Sequence, residues 1–231
     1  MSCLMDFGEV NIPSSSAYWD CDEDEPAQEN TTKLQLTFEA GQPEKAVDSQ
    51  LFLIVEGLDA VKLIESVLLD TTEKICSIPT VESKSWLYKL KEKNILVAAL
   101  EKDLTNSGEI TELLLPYAQK AQQVVTLTIT NKIYYKSEDL GDISKESSLL
   151  GINSKLQGIE ELQPPNFITG VVAGIASWCS NKSLAVSSYV AYTHKGKVDV
   201  VSVEPIAKLL QQLGLSCSTF YNFTDVSSCY S

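Results

Sequence analysis

The sequence contains no arginine, and all 18 of its basic residues are lysines. Nucleic-acid-binding proteins present a basic face that draws heavily on arginine, so the sequence argues against that class. Sites that clamp a phosphate through two parallel hydrogen bonds also favour arginine, because only its planar guanidinium matches their geometry. The missing arginines therefore disfavour both nucleic-acid binding and phosphate chemistry.

Motifs of the common catalytic and metal centres are also missing. The single histidine, His194, lies in a Lys- and Gly-rich turn, and no GxSxG motif surrounds any serine, Ser177 coming nearest. No Walker loop, GxGxxG motif or ligand-spaced His/Cys/Asp cluster occurs. Cys179 has no basic neighbour to lower its pKa, so we interpret it as a small buried hydrophobe. We expect no catalytic residue, no metal and no cofactor, in a protein that is not an enzyme.

Targeting and disulfide signals are equally sparse. Residues Met1–Val10 show neither the basic region nor the apolar stretch of a secretory signal peptide. No apolar run approaches the roughly 18 to 20 residues that cross a bilayer. The six cysteines have no CxxC spacing, so reduced thiols are expected. We therefore expect a protein of the cytoplasm, with the nucleus as a second location.

Acidic residues are concentrated in the first part of the chain. The net charge is −13, and residues 1–32 contain eight carboxylates and no lysine. We interpret residues 1–32 as a flexible acidic arm, either a solvated tail or a docking arm for a basic partner surface. Residues 33–218 are predicted to form a single α/β domain. Residues 219–231, rich in Ser, Thr, Asn and Tyr, are predicted to be a flexible C-terminal tail.

The hydrophobic pattern of residues 33–218 alternates between strands and helices. Strands are predicted at Leu34–Phe38, Leu51–Val55, Ile95–Leu100, Val124–Ile129, Ala185–Tyr192 and Val198–Val203. Helices are predicted after Gly57, over 110–117 with a kink at Pro116, over 167–180, and from Pro205 to a stop at Gly214. Residues 136–160 are predicted to be a long loop with a short helical turn near Ser148–Ile152. This order predicts a layered α/β domain with a largely parallel central sheet flanked by helices.

Three separate stretches carry a family resemblance. Near the start, Phe7–Val10 precedes the acidic run. The longest stretch begins with Pro-Pro-Asn-Phe-Ile-Thr-Gly at Pro164–Gly170 and continues with Ala173, Ser177–Cys179, Tyr189–Thr193 and Val198–Glu204. The third is Cys229–Ser231. In order and spacing they resemble the proteasome assembly chaperones, specifically the first subunit of the heterodimeric chaperone of the core α-ring.

The resemblance implies a nucleoside-phosphorylase-like α/β fold and a heterodimer with a second, related chaperone subunit. That pair would bind proteasome α-subunits, promote assembly of their ring and prevent off-pathway association. It also implies docking through a C-terminal tail of the form hydrophobic-Tyr-X, which falls here on Cys229, Tyr230 and Ser231. The Tyr230 phenol would fill a pocket and the Ser231 carboxylate would pair with a cation.

Two other functions remain open at this stage. A phosphorylase-like enzyme would fit the implied fold but would need phosphate-coordinating residues, and a generic acidic adaptor would explain only the acidic arm. A chaperone that works by surface complementarity should expose a hydrophobic face when it is alone. Leu149–Leu150 and the strand around Val186–Val190 are the predicted candidates for that face. Gly170 and Gly174, four residues apart, are interpreted as positions of close backbone packing rather than a phosphate cradle.

Overall fold

A computed structural model describes residues 33–68, 71–80, 84–137, 147–194 and 200–215. Within these ranges nine strands form one sheet in the order β1-β3-β4-β5-β2-β6-β9-β7-β8. The strands are β1 (Thr37–Phe38), β2 (Ser49–Gly57), β3 (Thr72–Ile78), β4 (Ser85–Leu90), β5 (Ile95–Leu100), β6 (Ala121–Asn131), β7 (Ser148–Ile152), β8 (Glu160–Glu161) and β9 (Val186–Thr193). The helices are α1 (Ala60–Leu68), α2 (Ser107–Lys120), α3 (Val171–Asn181) and α4 (Val200–Gln212), and a 3-10 turn spans Lys132–Tyr134.

The sheet is mixed, with a parallel centre and antiparallel flanks. Strand β2 pairs in parallel with β5 and β6, and β6 pairs in parallel with β9. On one side β5, β4, β3 and β1 pair antiparallel, and on the other side β7 pairs antiparallel with β9. The prediction of a largely parallel sheet therefore applies only to its four central strands. Strands β2 and β5 contain continuous hydrophobic runs because helices cover both of their faces.

Successive side chains of β2 point to opposite faces of the sheet and so divide the core into two layers. Leu51, Leu53 and Val55 pack on one face with residues of α1 and α4. Phe52 and Ile54 pack on the other face with residues of α2 and α3. All five side chains are at most 5% exposed. The domain is therefore a three-layer α/β sandwich, as the alternation of strands and helices predicts.

Two predicted elements are wrong. Val200–Val203 begin helix α4 instead of ending a strand, and residues 198–199 lie outside the described ranges. The β-branched valines favour a strand locally, but Val203, Ile206 and Leu210 recur at helical spacing and are buried against the sheet. Ser148–Ile152 form strand β7, not a helical turn, because all five residues pair with β9. Pairing with β9 therefore decides the structure of this short apolar segment within a polar stretch.

Sequence analysis also missed one hairpin and predicted one helix too short. Strands β3 and β4 form an antiparallel hairpin in a part of the chain to which sequence analysis assigned no element. Their polar positions, such as Lys74 and Lys89, interrupt the apolar pattern because only part of each strand is buried. Helix α2 continues through Pro116 to Lys120. The helix end at Gly214 is confirmed, since this residue has a φ of 78° in the left-handed region.

Candidate partner-binding groove

A groove of about 560 Å³ opens where the parallel strands β2, β5, β6 and β9 end. Ligand and partner sites of open α/β sheets occur preferentially outside the carboxyl ends of such strands. Its walls come from the residues after β2 and β5, the end of β6 with the following 3-10 turn, and the segment before α3. The described lining residues are Leu58, Lys102, Leu104, Ile129, Thr130, Asn131, Ile133, Tyr134, Lys136, Pro165, Asn166, Phe167, Thr169 and Tyr192.

The groove collects the exposed apolar surface of the described domain. Five large hydrophobic side chains are exposed there, and every one of them lines the groove: Leu58, Leu104, Ile133, Tyr134 and Phe167. Ile133 and Phe167 are each 74% exposed, the highest values among the five. Scattered exposed hydrophobic residues are normal, but their convergence on one concave surface is typical of an interaction site.

The charge of the groove is opposite to that of the whole chain. Lys102 and Lys136 are its charged lining residues, and no carboxylate occurs among the described residues that line it. The chain as a whole carries a net charge of −13. The groove thus combines an apolar surface with positive charge, which favours a partner that brings apolar side chains and carboxylates.

Asn166 holds two walls of the groove together. Its Oδ1 accepts a hydrogen bond from the backbone N–H of Lys136 at 2.9 Å, and its Nδ2 donates to the Lys136 carbonyl at 2.8 Å. The same Nδ2 also donates to the Gln163 carbonyl at 3.1 Å. A single amide therefore fixes the segment after the 3-10 turn against the segment before α3. Nearby, Asn131 Oδ1 accepts from the Ile133 N–H at 3.0 Å and caps that turn.

A buried carboxylate fixes the start of helix α3, next to the groove. Glu56, the penultimate residue of β2, is fully buried, and its two oxygens accept hydrogen bonds from the N–H groups of Val171 and Val172, each at 3.2 Å. Burial raises the pKa of the Glu56 carboxyl above its usual value, and these two backbone bonds oppose the rise. Lys102 also lowers the pKa, whereas Asp103 raises it.

Gly170, before α3, and Gly174, within it, are both positions of close packing, as predicted. A Cβ at Gly170 would lie 2.6 Å from Oε2 of Glu56, and a Cβ at Gly174 would lie 2.7 Å from Oγ1 of Thr111. Gly170 also has a φ of 84°, which side chains rarely adopt. The first glycine thus makes room for the buried carboxylate, and the second lets α3 pack closely against α2.

The predicted tail residues Cys229, Tyr230 and Ser231 lie outside the described ranges. The last described residue is Leu215, and the carbonyl of the preceding Gly214 accepts a hydrogen bond from Lys93, in the turn before β5. This turn is at the amino ends of the parallel strands. The described chain therefore ends at the sheet edge opposite the groove, about 20 Å away across the six residues of β5.

The predicted hydrophobic face is wrong in its position. Leu150 is 6% exposed and Val190 is 1% exposed, since β9 lies between β6 and β7 and contributes to a small buried cluster. A strand in the interior of a sheet offers no free edge. The exposed apolar surface lies instead in the groove, at the carboxyl ends of the parallel strands. Sequence reasoning missed it, although Leu58, Leu104 and Ile133 each follow shortly after a predicted buried strand and could have indicated it.

The burial of Cys179 agrees with its interpretation as a small buried hydrophobe. Cys179 is fully buried, and burial raises the pKa of its thiol to about 11. Burial likewise raises the pKa of the Cys76 thiol to about 12. His194 is exposed at the end of β9. In the ranges that the structure describes, no three His, Cys, Asp or Glu residues group as metal ligands, and no helix is long and apolar enough to span a membrane.

Solved structures share this fold. Pyrococcus furiosus PbaA, described as an archaeal homolog of proteasome-assembly chaperone, matches with a TM-score of 0.59 and 16% identity, over 83% of this chain and 86% of its own. Pyrococcus furiosus PbaB, described as an archaeal proteasome activator, matches with a TM-score of 0.54 and 13% identity, over 80% and 90%. A PAC2 family protein from Streptomyces avermitilis matches with a TM-score of 0.54 and 10% identity, over 74% and 89%. No family model and no curated protein matches the sequence.

Proposed function

We propose that this chain is a subunit of a proteasome assembly chaperone that acts as a heterodimer with a related α/β subunit. The pair binds proteasome α-subunits, promotes formation of their ring and prevents off-pathway association between them. The observation that carries the proposal is the fold shared with PbaA, which extends over 83% of this chain. The sequence resemblance supports it independently, because it rests on residue order and not on the fold.

The groove adds physical support for a binding role. An assembly factor recognises its clients through surface complementarity, so it needs exposed apolar surface that the partner covers. In the described domain that surface is concentrated in the groove at the carboxyl ends of the parallel strands. Hydrogen bonds of Asn166 and Glu56 fix the segments that form its walls. This arrangement favours a binding protein, and the absence of arginine from the sequence disfavours a phosphorylase-like enzyme.

The C-terminal tail, residues 219–231, is proposed to dock on the α-ring through Cys229, Tyr230 and Ser231. Thirteen extended residues reach about 40 Å, which is enough to enter a pocket on a neighbouring protein. The Tyr230 phenol would fill such a pocket, and the Ser231 carboxylate would pair with a lysine in it. One short contact of this kind is weak, and a second tail on the related subunit raises the total through effective concentration. The cytoplasm, with the nucleus as a second location, is the proposed site of action.

The test compares the full chain with a variant that lacks Tyr230 and Ser231, each purified with its related subunit. Binding to isolated proteasome α-rings is measured by surface plasmon resonance, and folding is checked by thermal unfolding. We expect ring binding to weaken at least tenfold and the melting temperature to stay unchanged, since the deleted residues belong to the predicted tail and not to the predicted domain, residues 33–218. A matched control, Ser227→Ala, should bind as the parent does. Equal ring binding by the deletion would refute the tail, and no ring binding by the intact pair would refute the chaperone role.

A further inference from the structure

The groove and the end of the described chain lie on opposite sides of the domain. The groove lies at the carboxyl edge of the parallel strands, whereas the described chain ends at the opposite edge, beside Lys93. Residues 216–231 therefore begin from the side of the domain opposite the groove. The five exposed hydrophobic side chains that line the groove remain to be explained by a different contact.

We propose that the groove is a docking site for a peptide segment of a partner protein that carries apolar side chains flanked by carboxylates. Aromatic side chains are the usual energetic anchors of protein interfaces, and Tyr134 and Phe167 stand exposed on two walls of the groove at 67% and 74%. Each can pack against an apolar side chain of the segment. The volume of the groove, about 560 Å³, accommodates a few such side chains and not a whole domain surface.

Charge complementarity selects carboxylates on the segment. Lys102 and Lys136 line the groove, and no carboxylate does so among the described residues. A basic segment would find no counter-charge there and would have to desolvate next to two ammonium groups. Occupancy of the groove by a second copy of this chain is the alternative that the variants below distinguish.

The walls are arranged for binding before any segment arrives. Asn166 bonds both backbone groups of Lys136, Asn131 caps the turn that carries Ile133 and Tyr134, and Glu56 anchors the start of α3 behind Phe167. A groove that is already ordered loses less conformational entropy when a peptide binds. Two threonines, Thr130 and Thr169, line the groove and bring hydroxyl groups to its otherwise mostly apolar wall.

A neighbouring depression extends the groove. It has a volume of about 600 Å³ and shares Leu58 and Lys102 with the groove. Its lining contains carboxylates as well as lysines, including Asp59, Glu65 and Lys62, and Lys62 pairs with Asp59 at 2.9 Å. The mixed charge makes it a poor match for an acidic segment. The docked segment is therefore expected to lie in the groove itself and to end near Leu58.

The inference does not rest on the chaperone role, and its test is designed to be independent of proteasome subunits. A library of random peptides displayed on phage is selected against the immobilised full chain, and enriched peptides are synthesised with a fluorescent label for polarisation measurements. Enriched sequences should contain at least two aliphatic or aromatic residues together with Asp or Glu. Their affinity should fall as ionic strength rises, because the lysine contacts are exposed to solvent.

Variants locate the bound peptide on the domain. Ile133→Asp and Phe167→Asp should each weaken binding at least tenfold, because they remove an apolar anchor and add repulsion. Lys102→Glu and Lys136→Glu should weaken it several-fold, mainly at low ionic strength. Gln122 and Lys91 are exposed at the amino ends of the parallel strands, far from the groove. The variants Gln122→Asp and Lys91→Glu are therefore charge-matched controls, and both should bind the peptide as the parent chain does.

Three results would overturn the proposal. Enrichment of basic peptides, or of none, would contradict the chemistry assigned to the segment. Concentration-dependent dimers that Ile133→Asp abolishes would show that a second copy occupies the groove. A melting temperature lowered by more than about 5 °C in Phe167→Asp would show that other residues of the same chain already cover it, since substitutions at truly exposed positions cost little stability.

Discussion

The carboxylate of Glu56 occupies the space that a side chain at Gly170 would need. A Cβ at residue 170 would lie 2.6 Å from Oε2 of Glu56, which also accepts a hydrogen bond from the N–H of Val172. The end of β2, the start of α3 and one wall of the groove are thereby joined at one buried point. The Pro-Pro-Asn-Phe-Ile-Thr-Gly stretch that carries the family resemblance ends in the glycine that this junction requires.

Replacing Gly170 with alanine should destabilise the domain strongly. The new Cβ would contact a buried carboxylate, and the residue would keep a φ of 84°. We expect a loss of about 3 kcal/mol in the free energy of unfolding, measured with urea. Gly41 provides the matched control, since it has the same φ of 84° but nothing within 4 Å of its Cβ position. Gly41→Ala should cost only about 1 kcal/mol, and equal losses would show that the contact with Glu56 is unimportant.

The stability of the domain should depend on pH through Glu56. Burial raises the pKa of its carboxyl in the folded state above 4.5, so the folded protein binds a proton more readily than the unfolded chain. The ionised form therefore lowers stability above the folded pKa, and stability recovers as the pH falls through that pKa towards 4.5. Free energies of unfolding of the parent and of Glu56→Gln are compared from about pH 7.5 down to the ordinary pKa of 4.5. The parent should gain stability relative to the variant on acidification, and a gain at alkaline pH would reverse the assignment.

Asn166 should control the rigidity of the groove more than the stability of the domain. Asn166→Ala removes the acceptor of the Lys136 N–H and two further bonds. Because the site is partly exposed to solvent, we expect a loss of about 1 kcal/mol in the free energy of unfolding. The amide of Lys136 should exchange its hydrogen at least several-fold faster, measured by mass spectrometry or NMR. The amide of Val125, in the centre of β6, serves as the reference and should exchange as slowly as before.

The two described cysteines should not react with alkylating reagents while the protein is folded. Burial raises the pKa of Cys76 to about 12 and that of Cys179 to about 11, so both thiols stay protonated near neutral pH. Iodoacetamide at about pH 8, followed by peptide mass spectrometry, should leave both unmodified until guanidinium chloride is added. Rapid modification of Cys179 in the folded protein would reopen its interpretation as a nucleophile.

The sequence predicts the centre of this fold better than its margins. Leu51–Val55 and Ile95–Leu100 are continuous apolar runs, and Val124–Ile129 is rich in β-branched residues, because helices cover both faces of the central strands. Strands β3 and β4 escaped prediction because each has partly exposed polar positions, so neither gives a long run nor a strict alternation. Val200–Val203 were assigned to a strand on composition, whereas burial of one side of α4 decides their structure.

The candidate site was only indirectly readable from the sequence. The Pro164–Gly170 stretch was identified by resemblance, and its position in the groove wall follows from pairings between distant segments, such as Asn166 with Lys136. Glu56 was not recognised, because a single carboxylate at a strand end has no local pattern that distinguishes it from a solvated one. The exposure of Phe167 is likewise a tertiary property, which no periodicity in the neighbouring residues reveals.

The central claim, a role in assembly of the proteasome α-ring, is tested most directly by purifying the tagged full-length chain from cells. Proteasome subunits that co-purify are quantified by mass spectrometry, with the variant lacking Tyr230 and Ser231 as a parallel sample. The account predicts recovery of one related α/β subunit together with α-subunits in large excess over mature β-subunits, and reduced α-subunit recovery with the variant. Equal amounts of α- and β-subunits, or neither, would contradict it.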